Sequence, residues 1–321
     1  MRIDAVGIAS DGAGPATYLD TLEQNLDYLQ SVGYDLIEID STPFRLIFDG
    51  RVREPQLREF VAVLRNFSVR YSLHGLMRLN LAYDSRHDLC RRIMVAQIEI
   101  CRAIGATRLV YHSGLQALDA ARSGIRSRLF SDEELEEGAS REVDAFKYLA
   151  PIAEDSGVVI GMENGDPHLW EYTVIEGCGE SRDHLSKHHA RLLVDPILRQ
   201  LQEINHPNVG MTLDIGHLYI AAHTLDFDYL EAVSCAAPWV KHLHFSDNFG
   251  RLDQGFDAEW ERWAFGEADI HMPPGWGSIP YRGVLACLPE YHGDIILEIK
   301  PFFRDYLGDG LRAIQDILAD M

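Results

Sequence analysis

The sequence predicts a single α/β domain, a (β/α)8 barrel with long loops at its C-terminal face. Three observations predict it. Eight short apolar runs alternate with amphipathic stretches along the whole chain, the pattern of strands crossing over through helices into a parallel sheet. Eight is the number of strands that closes such a barrel. No G-x-G-x-x-G follows the first run, so the main competitor, an open doubly wound sheet, lacks its phosphate-binding turn. No linker or low-complexity segment divides the 321 residues, and the domain is expected to span 1–321.

The first strand is read in IDAVGIA (3–9), followed by the helical pattern YLDTLEQNLDYLQSVG (18–33). DLIEID (35–40) is the second strand and QLREFVAVLRNF (56–67) its helix; VRYSLH (69–74) is the third, with DLCRRIMVAQIEICRAIG (88–105) after it. TRLVYH (107–112), VVIGME (158–163), VGMTLD (209–214), VKHLHF (240–245) and DIILEI (294–299) complete the set. Gly33, Gly105 and Gly157 each stand where a helix stop signal belongs. Three long segments, 113–130, 164–184 and 246–279, each follow a strand, and in this architecture such loops build the mouth where active sites lie. Four of the five tryptophans, Trp170, Trp260, Trp263 and Trp276, fall in the last two. Their rings are suited to stack on a sugar face or to pack the loops onto the barrel.

Acidic residues number 50 against 29 basic, a formal charge of −21. Such a chain repels phosphate backbones, which makes nucleic acid a poor partner. Five widely spaced cysteines with no C-x-x-C suggest neither a disulfide framework nor a cysteine zinc site, and a reduced, cytoplasmic setting is expected. The N-terminus runs directly into a β-like segment without a signal-peptide stretch, and no later span reaches membrane length.

The chemistry is concentrated at the strand ends. His74, His112, Glu163, Asp214, His244 and Glu298 lie at or next to the ends of six apolar runs. Burying ionisable groups without partners costs kilocalories each, so their repetition calls for a shared partner. Alternation along each strand places Ser72 below His74, Gly161 below Glu163, Gly210 and Thr212 below Asp214, and His242 below His244. Small residues there are expected to leave space at the top of the barrel. Imidazoles and carboxylates converging on such a space make a divalent metal site. His217, in GMTLDIGHL with Gly216 as a turning point, and the pair Asp269 and His271, in an extended DIHMPPGWG stiffened by prolines, raise the candidate ligands to nine. His242 is expected to support a ligand from beneath, and Asp247 to accept a hydrogen bond from a ligand imidazole. Glu38 and Asp40 are placed to orient a ligand or meet substrate. His168 lies in a mouth loop; His87, His184, His188, His189, His206, His223 and His292 lack this strand-end logic and are read as surface or structural.

The motifs ENGD (163–166), LDIGH (213–217), HFSD (244–247), DIHMPPGWG (269–277) and ILEIK (296–300) resemble, over nearly the full chain, the xylose isomerase-like TIM barrels. This superfamily contains endonuclease IV and many sugar or sugar-phosphate isomerases and epimerases. The resemblance implies Glu163, Asp214, His244 and Glu298 as a shared metal core. In the endonuclease branch it also implies His74 and His112 with a bridging Glu163, and His217, Asp269 and His271 for a third metal, so one to three ions per chain. Zinc or manganese is the implied metal, and magnesium, cobalt or iron suits the same donors.

Two chemistries follow from the resemblance. In the isomerase and epimerase branch Glu163 and Glu298 are the catalytic pair, passing a proton through an enediolate while the metal polarises the carbonyl and His217 touches substrate. In the hydrolase branch a zinc cluster holds a phosphoester. Nine occupied ligand positions favour the second; the charge, and mouth loops rich in tryptophan, favour carbohydrate. The expectation adopted is a metal-dependent sugar or sugar-phosphate isomerase or epimerase, with phosphoester hydrolysis of a small phosphorylated substrate as the alternative and dehydration or lyase chemistry behind it. Trp170, Trp276, Arg251 and Lys300 are expected to contact substrate, and Arg122, Arg126 and Arg128 to form either a phosphate cluster or ordinary surface pairs. Isomerases of this family often associate while the nuclease type works alone, so a homo-oligomer stays open.

Overall fold

The computed structural model describes residues 1–82, 86–114, 117–124, 126–255 and 259–321, with the side chains of Ala117, Glu259 and Trp260 also outside the description. The mouth role considered for Trp260 therefore lies outside the described residues.

Eight parallel strands close a barrel: β1 (Arg2–Ala9), β2 (Leu36–Asp40), β3 (Arg70–His74), β4 (Arg108–His112), β5 (Val159–Glu163), β6 (Val209–Asp214), β7 (Val240–Phe245) and β8 (His292–Leu297). Each pairs with its sequence neighbours, and β8 pairs with β1 to close the ring. All eight runs expected from the sequence are therefore strands, with ends shifted by one or two residues. Helices cover the outside. Leu19–Val32 ends at Gly33 in the left-handed region, and His87–Ile104 ends at Gly105 likewise, as their stop signals predict. The longest, Asp132–Asp155, starts on a capping box in which Ser131 and Glu134 each bond the other's backbone N–H. The core lies between barrel and helices and includes Ile37, Ile39, Leu73, Met162, Leu213 and Phe245, all fully buried.

Register sets the site. His112 stands opposite Glu163 across β4 and β5, and Asp214 opposite His244 across β6 and β7. Asp40 stands opposite His74 across β2 and β3. The polar strand ends are thus at one level. The long segments after β4, β5 and β7 all emerge at this end.

The small residues below the strand ends do not leave open space, as the sequence suggested. A Cβ at Gly161 would meet Thr212 Oγ1 at 2.0 Å, and one at Gly210 would meet Lys241 Cγ at 2.2 Å. The glycines admit side chains from the neighbouring strands, and the barrel interior is packed under its polar rim. Among the described residues no helix is long and apolar enough to cross a membrane, and all five cysteines are free thiols.

Because Thr212 is fully buried against Gly161, Gly161→Ala should destabilise the fold by about 1–3 kcal/mol through overpacking. Thr212→Ala in the same chain should recover part of that loss, read by chemical denaturation of the single and double variants.

Candidate functional site

Among the described residues, five groups of side chains have potential ligand atoms within 4.8 Å of one another, and the nine residues singled out from the sequence fill three of them: His74, His112 and Glu163; Glu163, Asp214, His244 and Glu298; and His217, Asp269 and His271. Glu163 joins the first two. All nine residues singled out from the sequence are brought to one place. Glu163, Asp214 and His244 are at most 1% exposed, and His112 is 6% exposed.

Glu163 sits between two imidazoles. His112 Nε2 lies 2.9 Å from its Oε2 and His244 Nδ1 lies 2.9 Å from its Oε1. His244 Nδ1 is also 3.3 Å from Glu298 Oε1, so one imidazole nitrogen faces two carboxylates from different strands. His74 Nε2 lies 3.2 Å from His112 Nε2 and 3.9 Å from Glu298 Oε1. The opposite edge of His244 is held from below: Nε2 lies 3.0 Å from Glu38 Oε1. Glu38 in turn accepts hydrogen bonds on Oε2 from Ser72 at 2.9 Å and from His242 Nε2 at 2.8 Å. His242 therefore acts beneath the site as expected, but through Glu38, which braces the imidazole above it. Asp40 accepts from the Thr42 N–H at 2.8 Å and lines the cavity over the site.

Asp214 ends β6 and caps the helix Ile215–Leu225 that follows, its Oδ1 accepting the His217 N–H at 2.7 Å. The sequence suggested that Gly216 turns the chain to return His217. Instead Gly216 lies within the first helical turn, and its missing side chain makes room for Ser246 Oγ, 2.6 Å from where a Cβ would be. His217 Nδ1 faces the Asn164 carbonyl at 3.1 Å, which aims Nε2 toward Asp269 Oδ2, 3.4 Å away. Asn164 also locks β5 to β6, donating to the Asp214 carbonyl and accepting the Asp214 N–H, both at 2.9 Å.

Asp269 and His271 are not on an extended segment. His271 has φ +52 and Ala268 has φ +65, left-handed conformations that fold the segment so that His271 Nε2 touches Asp269 Oδ2. His271 Nδ1 faces the Glu298 carbonyl at 2.8 Å. Three residues given other roles by the sequence hold this strap in place. Asp247 bonds no ligand imidazole; its carboxylate accepts the backbone N–H groups of Asn248 at 3.0 Å, Gly275 at 2.8 Å and Ile279 at 3.3 Å. Lys300 Nζ donates to the Asp269 carbonyl at 2.8 Å. Arg251 donates to the Phe265 carbonyl at 2.7 Å, and its own carbonyl accepts the Ala268 N–H. Trp276 does not cross the mouth: its ring is 42% exposed and packs edge-on against Phe303 and Tyr306. These corrections share a cause, since loop side chains answer to local backbone demands that strand periodicity does not report. Trp170 does border a cavity, beside His168 and His112. Arg126 and Arg128 are surface pairs on Glu134; Arg122 lies over the Trp170 ring, 4.4 Å from its centroid.

The donors suit a divalent cation, and orphaned atoms say the same. Asp214 Oδ2 and Asp269 Oδ1 are buried without a hydrogen-bond partner, an expensive state for carboxylates that a cation relieves. Burial pushes the Glu163 carboxyl up, but His112 and His244 outweigh it and hold the group well below the usual carboxylate range. Burial likewise opposes ionisation of Glu298, yet His244 brings it down to about 2. Asp214 is pushed by burial up to about 7. Burial depresses His244, but Glu298, Glu38 and Glu163 together raise it well above an ordinary imidazole. His271 rises to about 9 against its burial because Asp269 lies beside it. Protonated imidazoles thus balance the carboxylates when no cation does.

The family described as xylose isomerase-like TIM barrel matches residues 26–317. The chain belongs to that family. Solved structures of similar shape include a D-tagatose 3-epimerase-like protein, with TM-score 0.68, 18% identity and coverage of 98% of this chain and 97% of that one. The IOLI protein with a bound zinc atom follows at TM-score 0.63, 16% identity and coverage of 98% and 97%. A xylose isomerase domain protein from Planctomyces limnophilus has TM-score 0.63, 13% identity and coverage of 98% and 96%. A curated relative, the uncharacterized protein MJ1311 of Methanocaldococcus jannaschii, is 27% identical over 154 residues, 47% of this chain and 40% of that protein. The match thus spans well under half of that relative's length.

Metal uptake must displace protons from imidazoles whose affinity for them is raised against their burial, His271 to about 9 by Asp269 and His244 well above an ordinary imidazole by Glu298, Glu38 and Glu163. At neutral pH these ligands are protonated, so metal affinity should fall as pH falls and binding should release protons. Calorimetric titration with zinc in buffers of differing ionisation enthalpy reads this; an enthalpy independent of buffer would contradict it.

Proposed function

We propose that the protein is a divalent metal-dependent sugar isomerase or epimerase working by carboxylate-mediated proton transfer. The observation that carries this is the approach of two carboxylates, the buried Glu163 from β5 and the partly exposed Glu298 after β8, to the same His244 nitrogen at 2.9 and 3.3 Å. Both are held ionised at neutral pH, the state in which a carboxylate accepts a proton. Glu163, Asp214, His244 and Glu298 would hold the cation. When bound, it would polarise a sugar carbonyl and make the adjoining C–H acidic.

The chain's own residues then divide the work. One of Glu163 and Glu298 takes the proton from the carbon beside the carbonyl, giving an enediolate, and the other, after taking up a proton from solvent at the mouth, delivers it to the enediolate while the first releases its own to solvent. His217 Nε2, aimed inward by the Asn164 carbonyl, would bond a substrate oxygen, while Asp11 and Asp40 border the same cavity of about 300 Å³ and suit sugar hydroxyls. The similar solved structures named for sugar epimerases support the carbohydrate assignment without fixing the sugar.

A second reading, hydrolysis of a small phosphoester, is favoured by one observation: His217, Asp269 and His271 form a third ligand group that a single-metal isomerase does not require.

Incubation in deuterated water with ketohexoses and ketopentoses, both free and carrying a terminal phosphate or carboxylate, should give deuterium at the carbon next to the carbonyl of at least one of them. Glu163→Gln and Glu298→Gln should each lower that exchange by about 10²–10⁴-fold. Cleavage of a phosphoester with no carbon-bound exchange on any sugar would replace this proposal with the second reading.

A further inference from the structure

A cavity of about 220 Å³ adjoins the metal-binding mouth and shares Met77 and His112 with it. Its character is opposite. The mouth is lined by Asp11, Asp40, Glu163 and Glu298, whereas Arg78, Arg122 and Arg191 converge on the neighbour together with His168, His188 and His189. For a chain of net charge −21 such a gathering of three arginines is conspicuous. The two acids on its wall are already engaged: Asp119 lies 3.6 Å from Arg78, and Glu171 lies 2.7 Å from His189 and accepts the His168 N–H at 2.9 Å.

Two of the arginines keep unspent donors. Arg191 spends Nε on His189 Nε2 at 2.8 Å, and among the described residues no carboxylate lies within 4 Å of its guanidinium. Arg122 stacks on Trp170 and likewise has no ion pair among the described residues. His188 is buried, and neither of its ring nitrogens makes a hydrogen bond; the Glu180 oxygen nearest Nε2 is 3.9 Å away. A buried imidazole without a partner is costly unless something else meets it.

The cavity is also tied to the mouth. Gly165, two residues after Glu163, bonds the Arg191 carbonyl through its N–H at 3.0 Å. A Cβ at Gly165 would stand 2.7 Å from Arg191 Nε and 2.9 Å from His189 Nε2. The ENGD segment therefore carries a glycine where the Arg191–His189 pair crosses it, which holds the guanidinium against Gly165, two residues from Glu163.

We propose that this cavity is an anion subsite, in which Arg191 and Arg122 bind the phosphate or carboxylate end of a substrate whose carbonyl end reaches Glu163 and Glu298. Planar guanidinium donors suit either oxyanion. The inference rests on the proposed proton-transfer function for what the other end does, and on the cavity alone for the anion. Its occupant is then a sugar carrying a charged terminus, not a neutral one.

Calorimetry on the purified full chain, with inorganic phosphate and separately with malonate, tests it. At least one should bind, and the tighter of the two identifies the oxyanion. Arg191→Gln should weaken binding roughly tenfold or more, as expected for loss of a hydrogen bond to a charged group, and Arg122→Gln by a smaller factor. Circular dichroism and metal content should be unchanged; if Arg191→Gln does not fold, Arg191→Lys and Arg122→Gln carry the comparison. Failure of both anions to bind, or equal binding by the wild type and all variants, as for an anion held by the metal, overturns the proposal. Deuterium exchange on neutral sugars that is unaffected by the arginine variants would also overturn it while leaving the proton-transfer function intact. Anion binding that depends on Arg191, without exchange on any sugar, would retain the subsite and remove that function.

Discussion

The site depends on His244. Its imidazole is fully buried and faces Glu163 and Glu298 with one nitrogen and Glu38 with the other. Each of these groups would be prohibitive to bury alone, and each is tolerable because the others surround it. Glu38 gains two further donors from Ser72 and His242, so the charge is braced down to the next layer of the barrel. Atoms without a hydrogen-bond partner remain at both levels, Glu38 Oε1, His242 Nδ1 and His244 Nε2 below and Glu163 Oε2, Asp214 Oδ2 and Asp269 Oδ1 above. The carboxylate oxygens at the top are the ones a cation would satisfy.

The barrel gives this network its geometry. Adjacent parallel strands put His112 opposite Glu163 and Asp214 opposite His244, so ligands distant in sequence arrive at one level without help from loops. The remaining ligands come on a helix start, His217, and on a folded strap, Asp269 and His271. The strap needs its own scaffold: Asp247, Lys300 and Arg251 bond its backbone or that of the loop leading to it. Beside the acidic mouth lies the arginine-lined cavity, joined to it at His112 and Gly165. Fold alone says little about chemistry in so versatile an architecture; the two carboxylates that meet at one His244 nitrogen carry the functional argument.

Strands and strand-end residues were legible in the sequence because a period of two, ending repeatedly in His, Asp or Glu, has few alternative explanations. The eight runs 3–9 through 294–299 match β1 to β8 closely, and the nine ligand-type residues meet. Loop residues were not legible in the same way. Asp247 is three residues from His244 and resembles its partner, yet its carboxylate is consumed by the backbone N–H groups of Asn248 beside it and of Gly275 and Ile279 in a distant segment. Trp276 follows a stiff Pro-Pro and still turns outward onto Phe303 and Tyr306. His188, His189 and Arg191 were passed over because KHHAR (187–191) reads as a polar surface cluster; only the folded chain shows His188 and His189 buried and Gly165 opened to receive Arg191. Glu38 could be suspected as the last-but-two residue of an apolar strand, but its role under His244 requires the closure of β2 toward β7 through the barrel interior.

The central claim is that the carboxylates and imidazoles of β5 to β8 form a divalent cation site. Crystals soaked in manganese, with anomalous scattering recorded, test it directly. The account predicts an anomalous peak bounded by Glu163, Asp214, His244 and Glu298. A well-ordered mouth with no peak there, or manganese bound only at surface carboxylates, would contradict it.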